Sequence, residues 1–270
     1  MPAIFALNSA TQIERRHRAT VVITGSHGGI YPAYLAAKAG VLGVSFNDAG
    51  IGKDAAGIAS LAFLDRLGMP AVTVSHLSAR IADGADIARR GVLSHVNPAA
   101  TALGCAIGQP IMDAAVLMRA ATPRKIKAPA YDEARSRLRA EEGEPEIWAI
   151  DSAALMASDD RGRIMITGSH GGLLAGRPDH IIKGPPLAAF FNDAGIGLDE
   201  AGIRRLPVLD DMGVIGATVA ATSARIGDAR SAWQTGVLSR LNRLAREAGG
   251  GVGDTLRDFV ERLLQTPGKR

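Results

Sequence analysis

Apolar residues in the first half of the chain form short, nearly continuous runs, each followed by a glycine-rich turn and a stretch with helical spacing. The runs are "ATVVITG", "VLGVSFN" and "AVTVSHL", at 19–25, 41–47 and 71–77. Because they do not alternate with polar residues, they are typical of parallel strands covered by helices on both faces. Helical spacing over 31–39, 55–67 and 83–94 would supply those helices. The pattern predicts an α/β fold.

The same pattern occurs again later in the chain. Three polar signatures recur in one order: "TGSHGG" at 24–29 and 167–172, "FNDAGIG" at 46–52 and 191–197, and "SARI" at 78–81 and 223–226. Recurrence in one order predicts a tandem duplication of a three-unit βα, Rossmann-like half. We expect the two halves to be related by a pseudo-twofold axis, so that paired loops build one cleft.

The two predicted halves cover 1–124 and 146–270. Between them, 125–145 is dense in charged residues and proline, which indicates a connector with a short exposed helix over 131–142. Loops that leave the carboxyl ends of parallel strands are where open α/β sheets bind ligands, and the three recurring signatures fall there.

Composition narrows the class of protein. The 270 residues are 47% hydrophobic, enough for a packed core, and no apolar stretch approaches the ~20 residues that cross a bilayer. Dispersed basic residues at a net charge of +4, with 4% aromatic residues, argue against nucleic acid as a partner. The single Cys105 fits a buried structural thiol. We expect a soluble, cytoplasmic protein with a small-molecule substrate and no membrane partner; a homo-oligomer is left open.

The "GSHGG" loops are the first candidates for chemistry. Their glycine amides, at a helix start, suit an oxyanion, and their serine and histidine suit proton transfer. The candidates are Ser26, His27, Gly28 and Gly29, with Ser169 and His170 in the second half. The loop matches neither the dinucleotide fingerprint nor a phosphate-binding loop, so no cofactor is predicted. The alternatives are that Ser26 caps the following helix and that His27 bonds a neighbouring carbonyl.

The Asn-Asp pairs that end the second apolar run of each half are the next candidates. Asp48 is expected to orient His27 as a general base, with Asn47 binding substrate, and Asn192 and Asp193 would repeat the arrangement. A simple Asx turn is the alternative.

In the third loop, Arg80 and Ser78, with Arg225 in the second half, are expected to bind substrate, since a guanidinium can clamp a carboxylate. Ion pairs of Arg80 with Asp83 and of Arg225 with Asp228 are the alternative.

The halves differ where proton transfer would be supported. The first half has Lys53, Ser75, His76 and His95 where the second has Leu198, Ala220, Ala221 and Arg240. We therefore expect Lys53 and His76 to assist His27. The second half has instead the segment "GRPDHIIKGPP", in which Arg177, Asp179, His180 and Lys183 could form a substrate-binding lid or remain plain surface.

Three functions follow from these candidates. The leading one is hydrolysis of a small polar or anionic molecule, such as a cyclic amide or another carboxylate-bearing compound, by His27 and Asp48 with water or Ser26. A second uses a divalent metal held by His27, Asp48, His170 and Asp193. The third is a non-catalytic protein that binds an organic anion between two similar lobes.

Overall fold

The computed structural model describes residues 1–123, 127–177 and 184–265, which form a mixed α/β structure with two sheets of mostly parallel strands. The strands are β1 Ile4–Leu7, β2 Val21–His27, β3 Gly43–Asn47, β4 Ala71–Val74, β5 Leu93–Val96, β6 Arg135–Arg139, β7 Ile147–Ile150, β8 Ile164–His170, β9 Ala188–Asn192, β10 Ile215–Val219 and β11 Leu238–Leu241. The helices are α1 Ile30–Ala39, α2 Ala59–Asp65, α3 Gly84–Arg90, α4 Pro98–Thr101, α5 Ile111–Met118, α6 Arg205–Asp211, α7 Ala229–Thr235, α8 Arg243–Glu247 and α9 Leu256–Gln265.

The first sheet has the order β1-β2-β3-β4-β5, with β1 to β4 parallel and β5 antiparallel to β4. Its strands bury side chains on both faces, as their continuous apolar runs predict. Val22 and Phe46 pack with helices α1 and α2, while Ile23 and Val72 pack on the other face with α3 and α5. Burying both faces is the main stabilising term for such a sheet and holds its strand ends in fixed positions.

The second sheet has the order β11-β10-β9-β8-β7-β6. Strands β7 to β10 are parallel, and an antiparallel strand closes each edge. Ile166 and Phe190 pack with α7 and α9, and Met165 and Phe191 pack with α6. Strands β2 and β8 therefore both lie inside a sheet, and both end at the histidine of their "TGSH" sequence.

The structure corrects the helix predicted over 131–142, because 135–139 is the edge strand β6. Arg135 and Arg137 point to the same face of β6, and an irregularity between Arg137 and Arg139 turns Arg139 toward Glu261 of α9. Arg135 pairs with Asp160 at 2.6 Å, and Arg137 and Arg139 pair with glutamates at 2.9 Å and 2.8 Å. These ion pairs and the ladder with β7 outweigh the local preference for a helix, and β6 makes part of the predicted connector belong to the second sheet.

Two other predicted helices are shorter in the structure. The helix expected over 83–94 stops at Arg90, and the chain continues into β5 after Gly91. The helix expected over 55–67 begins only at Ala59, as α2. The residues before it, Lys53–Ile58, form a tight turn in which Asp54 and Ala55 have positive φ. The turn brings Asp54 to the boundary between the two sheets, a position that helical periodicity cannot reveal.

Loops from the two sheets meet in a small apolar cluster. Its members are Ala49, Ala56, Ile81, Ala194, Ala201 and Ile226, all buried. The carboxyl ends of β2 and β8 flank this junction, so their histidines approach each other. Within the described ranges, no helix has the length and apolar character needed to cross a membrane.

Candidate functional site

A cavity of about 300 Å³ opens between the two halves, and we call it the central cavity. Its walls come from six places in the chain: the turn after β1, the end of β2 with the start of α1, residues 54–59, segment 131–133, the ends of β7 and β8, and residues 225–227. The polar side chains that line it are those of Ser9, Thr11, Ser26, His27, Tyr31, Asp54, Tyr131, Glu133, Asp151, Ser152, Ser169, His170 and Arg225. A volume of this size accommodates a small metabolite.

His27 and His170 line the central cavity from opposite halves. Their ring centroids are 6.5 Å apart and their ring planes meet at 80°. In each ring, Nδ1 accepts a hydrogen bond from the backbone N–H two residues later, Gly29 for His27 and Gly172 for His170, both at 3.1 Å. The proton of the neutral imidazole is therefore on Nε2. In the described part of the chain, neither Nε2 atom has a hydrogen-bond partner.

Both imidazoles are neutral over the physiological pH range. Burial lowers the pKa of His27 to about 4. Burial also lowers the pKa of His170 to about 3, with further contributions from the positive charges of His27 and Arg205. A neutral imidazole with Nδ1 occupied is a hydrogen-bond donor through Nε2, and it is a weak base at neutral pH.

Ser26 and Ser169 also line the cavity. The Oγ atom of Ser26 accepts a hydrogen bond from the backbone N–H of Ala10 at 2.8 Å, and Ser169 accepts one from Ala153 at 2.9 Å. Each serine thus holds the turn that follows a neighbouring parallel strand, β1 for Ser26 and β7 for Ser169. The residue in the N-cap position of α1 is Gly29, so Ser26 does not cap this helix. The hydroxyls stay within reach of the cavity as donors.

The glycine amides expected to hold an anion are already used. The N–H of Gly28 donates to the carbonyl of Asn47 at 2.8 Å, and that of Gly29 donates to His27 Nδ1. Gly28 serves close packing, since a methyl group there would lie 3.1 Å from side-chain atoms of Ser60 and Thr73. The two amides are therefore not free to bind an anion; Gly29 lines the central cavity, whereas Gly28 does not.

The predicted pairing of Asp48 with His27 is also wrong, because Asp48 pairs with His76. Asp48 Oδ1 accepts hydrogen bonds from His76 Nδ1 at 2.7 Å, from the His76 backbone N–H at 3.0 Å and from Gly50 N–H at 3.1 Å. Burial alone would raise the pKa of Asp48, but the bonds from His76 outweigh it and hold the pKa below its ordinary value. Neither residue lines the central cavity.

The other Asn and Asp candidates close turns. Asn47 Oδ1 accepts from Ala49 N–H at 2.9 Å, and Asn192 does the same with Ala194. Asp193 Oδ1 accepts from the N–H groups of Gly195 and Ala221, each at 2.9 Å. The Asx-turn alternative thus describes Asn47, Asn192 and Asp193. The set of two histidines and two aspartates expected for a metal does not assemble, and in the described ranges no three His, Cys, Asp or Glu residues are grouped to hold one.

Arg80 does not face the central cavity. Its guanidinium lies 3.0 Å from Asp83, 3.1 Å from Asp86 and 3.2 Å from Asp199 of the other half. Arg225 does line the cavity, but it is held between Asp54 and Asp228 at 2.9 Å each. Both arginines therefore follow the ion-pair alternative, and the substrate clamp predicted for Arg80 is wrong.

The remaining candidates of the first half are structural. Ser78 Oγ donates to the carbonyl of Ser75 at 2.8 Å. Lys53 Nζ donates to Thr235 Oγ1 in the other half at 2.8 Å, and His95 Nδ1 lies 3.5 Å from Thr73 Oγ1. Lys53, His76 and His95 are absent from the cavity lining, so they do not assist His27 as predicted. Arg177 is exposed, and the other predicted lid residues, Asp179, His180 and Lys183, lie outside the described residues.

The structure adds a carboxylic acid that sequence reasoning missed. Burial raises the pKa of Glu133 to about 7, and the negative charge of Asp151 adds to the shift, against hydrogen bonds with Ser152 and Tyr31. Glu133 lies in the predicted connector, where a charge-rich composition is typical of solvated surface. Only the folded structure reveals Glu133 as a candidate, because it places Glu133 in the lining of the same cavity as the ends of β2 and β8.

Comparisons of the chain with protein-family models, with curated proteins and with solved structures find no match. The functional conclusion therefore follows from the chemistry of the central cavity alone.

Proposed function

We propose that the chain is a tandem duplication whose halves pack about a pseudo-twofold axis. Reciprocal contacts support this proposal. Lys53 N–H donates to the carbonyl of Ala221 and Leu198 N–H donates to that of His76, both at 2.8 Å. Each half also sends an arginine to the tight turn of the other: Arg225 pairs with Asp54 and Arg80 with Asp199. Equivalent elements that exchange equivalent contacts are the mark of an isologous interface.

We further propose that the protein is an enzyme, a hydrolase that acts on a small polar molecule in the central cavity. The observation that carries this proposal is the histidine pair: one imidazole from each half, with Nδ1 occupied by a backbone N–H and Nε2 unpartnered within the described residues. Two neutral N–H donors that line one cavity are suited to stabilise negative charge developing on a single carbonyl oxygen. A neutral histidine has this electrophilic role in other enzymes.

The general base in this proposal is Glu133, which replaces the pair of His27 and Asp48. A pKa of about 7 is matched to proton transfer near neutral pH, whereas imidazoles with pKa values of about 3 and 4 are poor bases there. The protein's own side chains supply all the chemistry of this proposal.

For a cyclic amide, the reaction proceeds in two steps. Glu133 takes a proton from water as its oxygen attacks the carbonyl carbon, and His27 and His170 hold the resulting oxyanion. The C–N bond then breaks, and protonated Glu133 returns the proton to the leaving nitrogen. The product is the ring-opened amino acid, and Glu133 is restored. Tyr31 and Ser152 lie beside Glu133 in the cavity lining and lower its pKa, which limits the rise caused by burial.

The test is turnover of a panel of small cyclic amides and lactones by the wild type and three variants, His27→Gln, His170→Gln and Glu133→Gln. Loss of one oxyanion donor costs about 10²–10³ in kcat, and loss of a general base costs about 10²–10⁴. His95→Gln is the matched control, because His95 is absent from the cavity lining and should keep wild-type turnover. Binding of panel members without turnover would instead assign the protein to the non-catalytic binding proteins.

A further inference from the structure

The charges that line the central cavity are predominantly negative. The carboxylates in the lining are Asp54, Glu133 and Asp151. Among the described lining residues, Arg225 is the one Arg or Lys side chain. Arg225 is already compensated by Asp54 and by Asp228. Glu133 and Asp151 therefore lack a compensating cation among the described lining residues; the carboxylate of Asp151 also accepts the backbone N–H groups of Ala134 and Ala229, at 2.9 Å and 3.1 Å.

The groups that could attract an anion are already bonded to other parts of the protein. Arg80 binds three aspartates away from the cavity, and the amides of Gly28 and Gly29 bond to protein atoms. Both histidines are neutral at physiological pH. A substrate carboxylate in this cavity would lose its water without gaining a cationic partner, which is unfavourable.

Aromatic rings next to Glu133 favour a cation. All three tyrosines of the chain form one cluster, with ring centroids 6.0 to 6.3 Å apart: Tyr31, Tyr34 and Tyr131. Tyr31 and Tyr131 line the cavity, and Lys38 Nζ lies 5.5 Å from the ring centroid of Tyr34. The cluster thus already holds one cation by a cation–π contact, and its cavity-facing members offer the same interaction to a ligand.

We infer that the substrate of the central cavity carries a protonated amine, held by Glu133, Asp151 and the rings of Tyr31 and Tyr131. This inference rests on the proposed function and names its substrate class. A positive charge beside Glu133 favours the ionised carboxylate, and the ionised carboxylate is the form that accepts a proton from water.

The test uses three probes that share a δ-lactam ring and differ in one substituent: an aminomethyl, a methyl or a carboxylate group. Binding is followed by NMR at neutral pH on protein with isotope-labelled tyrosine rings. Because all three tyrosines belong to this cluster, every labelled resonance reports on the site. The aminomethyl lactam should bind about 10-fold to 100-fold more tightly than the methyl lactam, as expected for a charge-assisted contact. The carboxylate lactam should bind most weakly.

Glu133→Gln should reduce the advantage of the aminomethyl lactam by about tenfold and leave the methyl lactam unchanged. Glu142→Gln, the same substitution at an exposed glutamate outside the cavity lining, should change neither value. Equal binding of the three probes, tighter binding of the carboxylate lactam, or the absence of any shift with the aminomethyl lactam would overturn the inference. Failure of the proposed hydrolase activity can be distinguished from failure of this inference. A protein that binds the ammonium group without hydrolysis would keep the same order of affinities for the three lactams and would lack only turnover.

Discussion

Gly50 and Gly195 lie backbone against backbone at the junction of the two halves. Both residues have positive φ, 74° and 71°, and a methyl group on either one would lie 2.8 Å from the Cα atom of the other. Real side chains do not approach so closely, so each glycine is needed by the other half.

Replacement of Gly50 by alanine should therefore destabilise the protein strongly. We expect a loss of about 3 kcal/mol in the free energy of unfolding, from left-handed backbone strain of about 1 kcal/mol and an overpacking cost of about 2 kcal/mol. Gly213→Ala is the matched control, because its φ is 72° and nothing lies within 4 Å of the added methyl group. Urea unfolding measures both variants, and equal losses would show that the two loops do not pack as described.

Asp48→Asn tests the pairing that replaced the predicted catalytic dyad. Asp48 is buried and accepts three hydrogen bonds through one oxygen, two of them from His76. Loss of the Asp48 charge should lower the free energy of unfolding by about 2–3 kcal/mol, since hydrogen bonds to a buried charged group are among the strongest. Asp193→Asn should cost less, about 1 kcal/mol, because Asp193 bonds to backbone amides and to no histidine.

The same Asp48 variant separates a loss of stability from a loss of the proposed hydrolase activity. At temperatures where it is folded, Asp48→Asn should keep kcat within about twofold of the wild type, because Asp48 does not line the central cavity. A decrease in kcat of about 10²-fold or more, with the fold intact, would show that Asp48 takes part in the reaction.

Glu133 makes the stability of the protein depend on pH. Burial, with the charge of Asp151, raises its pKa from 4.5 to about 7 on folding, so the folded state binds more protons than the unfolded state between those values. The contribution of Glu133 to stability is thus fully present below about pH 4.5 and is lost as the pH rises through about 7. Solvent screening reduces the expected loss to about 1 kcal/mol.

Denaturation of the wild type and Glu133→Gln at several pH values measures this loss. The glutamine has no charge to bury, so the free energy of unfolding of the variant should increase relative to that of the wild type as the pH increases. A constant difference between the two proteins across this range would show that the pKa of Glu133 is not raised.

The histidine pair has the opposite dependence on pH. Because folding lowers the pKa values of His27 and His170 from 6.5 to about 4 and about 3, their contribution is present above about pH 6.5 and is lost as the pH falls through those folded values. NMR of the imidazole nitrogens should show both rings neutral near pH 6, with the proton on Nε2. A midpoint near 6.5 for either ring would remove the proposed pair of neutral donors.

Much of the fold could be predicted from local patterns. Continuous apolar runs identified β2, β3 and β4, and the recurrence of "TGSHGG" marked β2 and β8 as strands with polar ends. The short edge strands β1, β5 and β6 were not found, and β5 and β6 differ from the equally short β3 and β4 in having no continuous apolar run. In such short strands, pairing with a neighbour decides the conformation, and local preference does not.

The sequence by itself determined that His27 and His170 stand at the ends of buried strands, because burial and strand periodicity act over a few neighbouring residues. Only the tertiary structure decided which polar groups meet. Asp48 pairs with His76, Arg80 pairs with aspartates of both halves, and Glu133 reaches the cavity from a charged segment. The physical reason is that hydrogen bonds and charges act over a few ångströms in space, and residues distant in sequence become neighbours there only after the two sheets have packed.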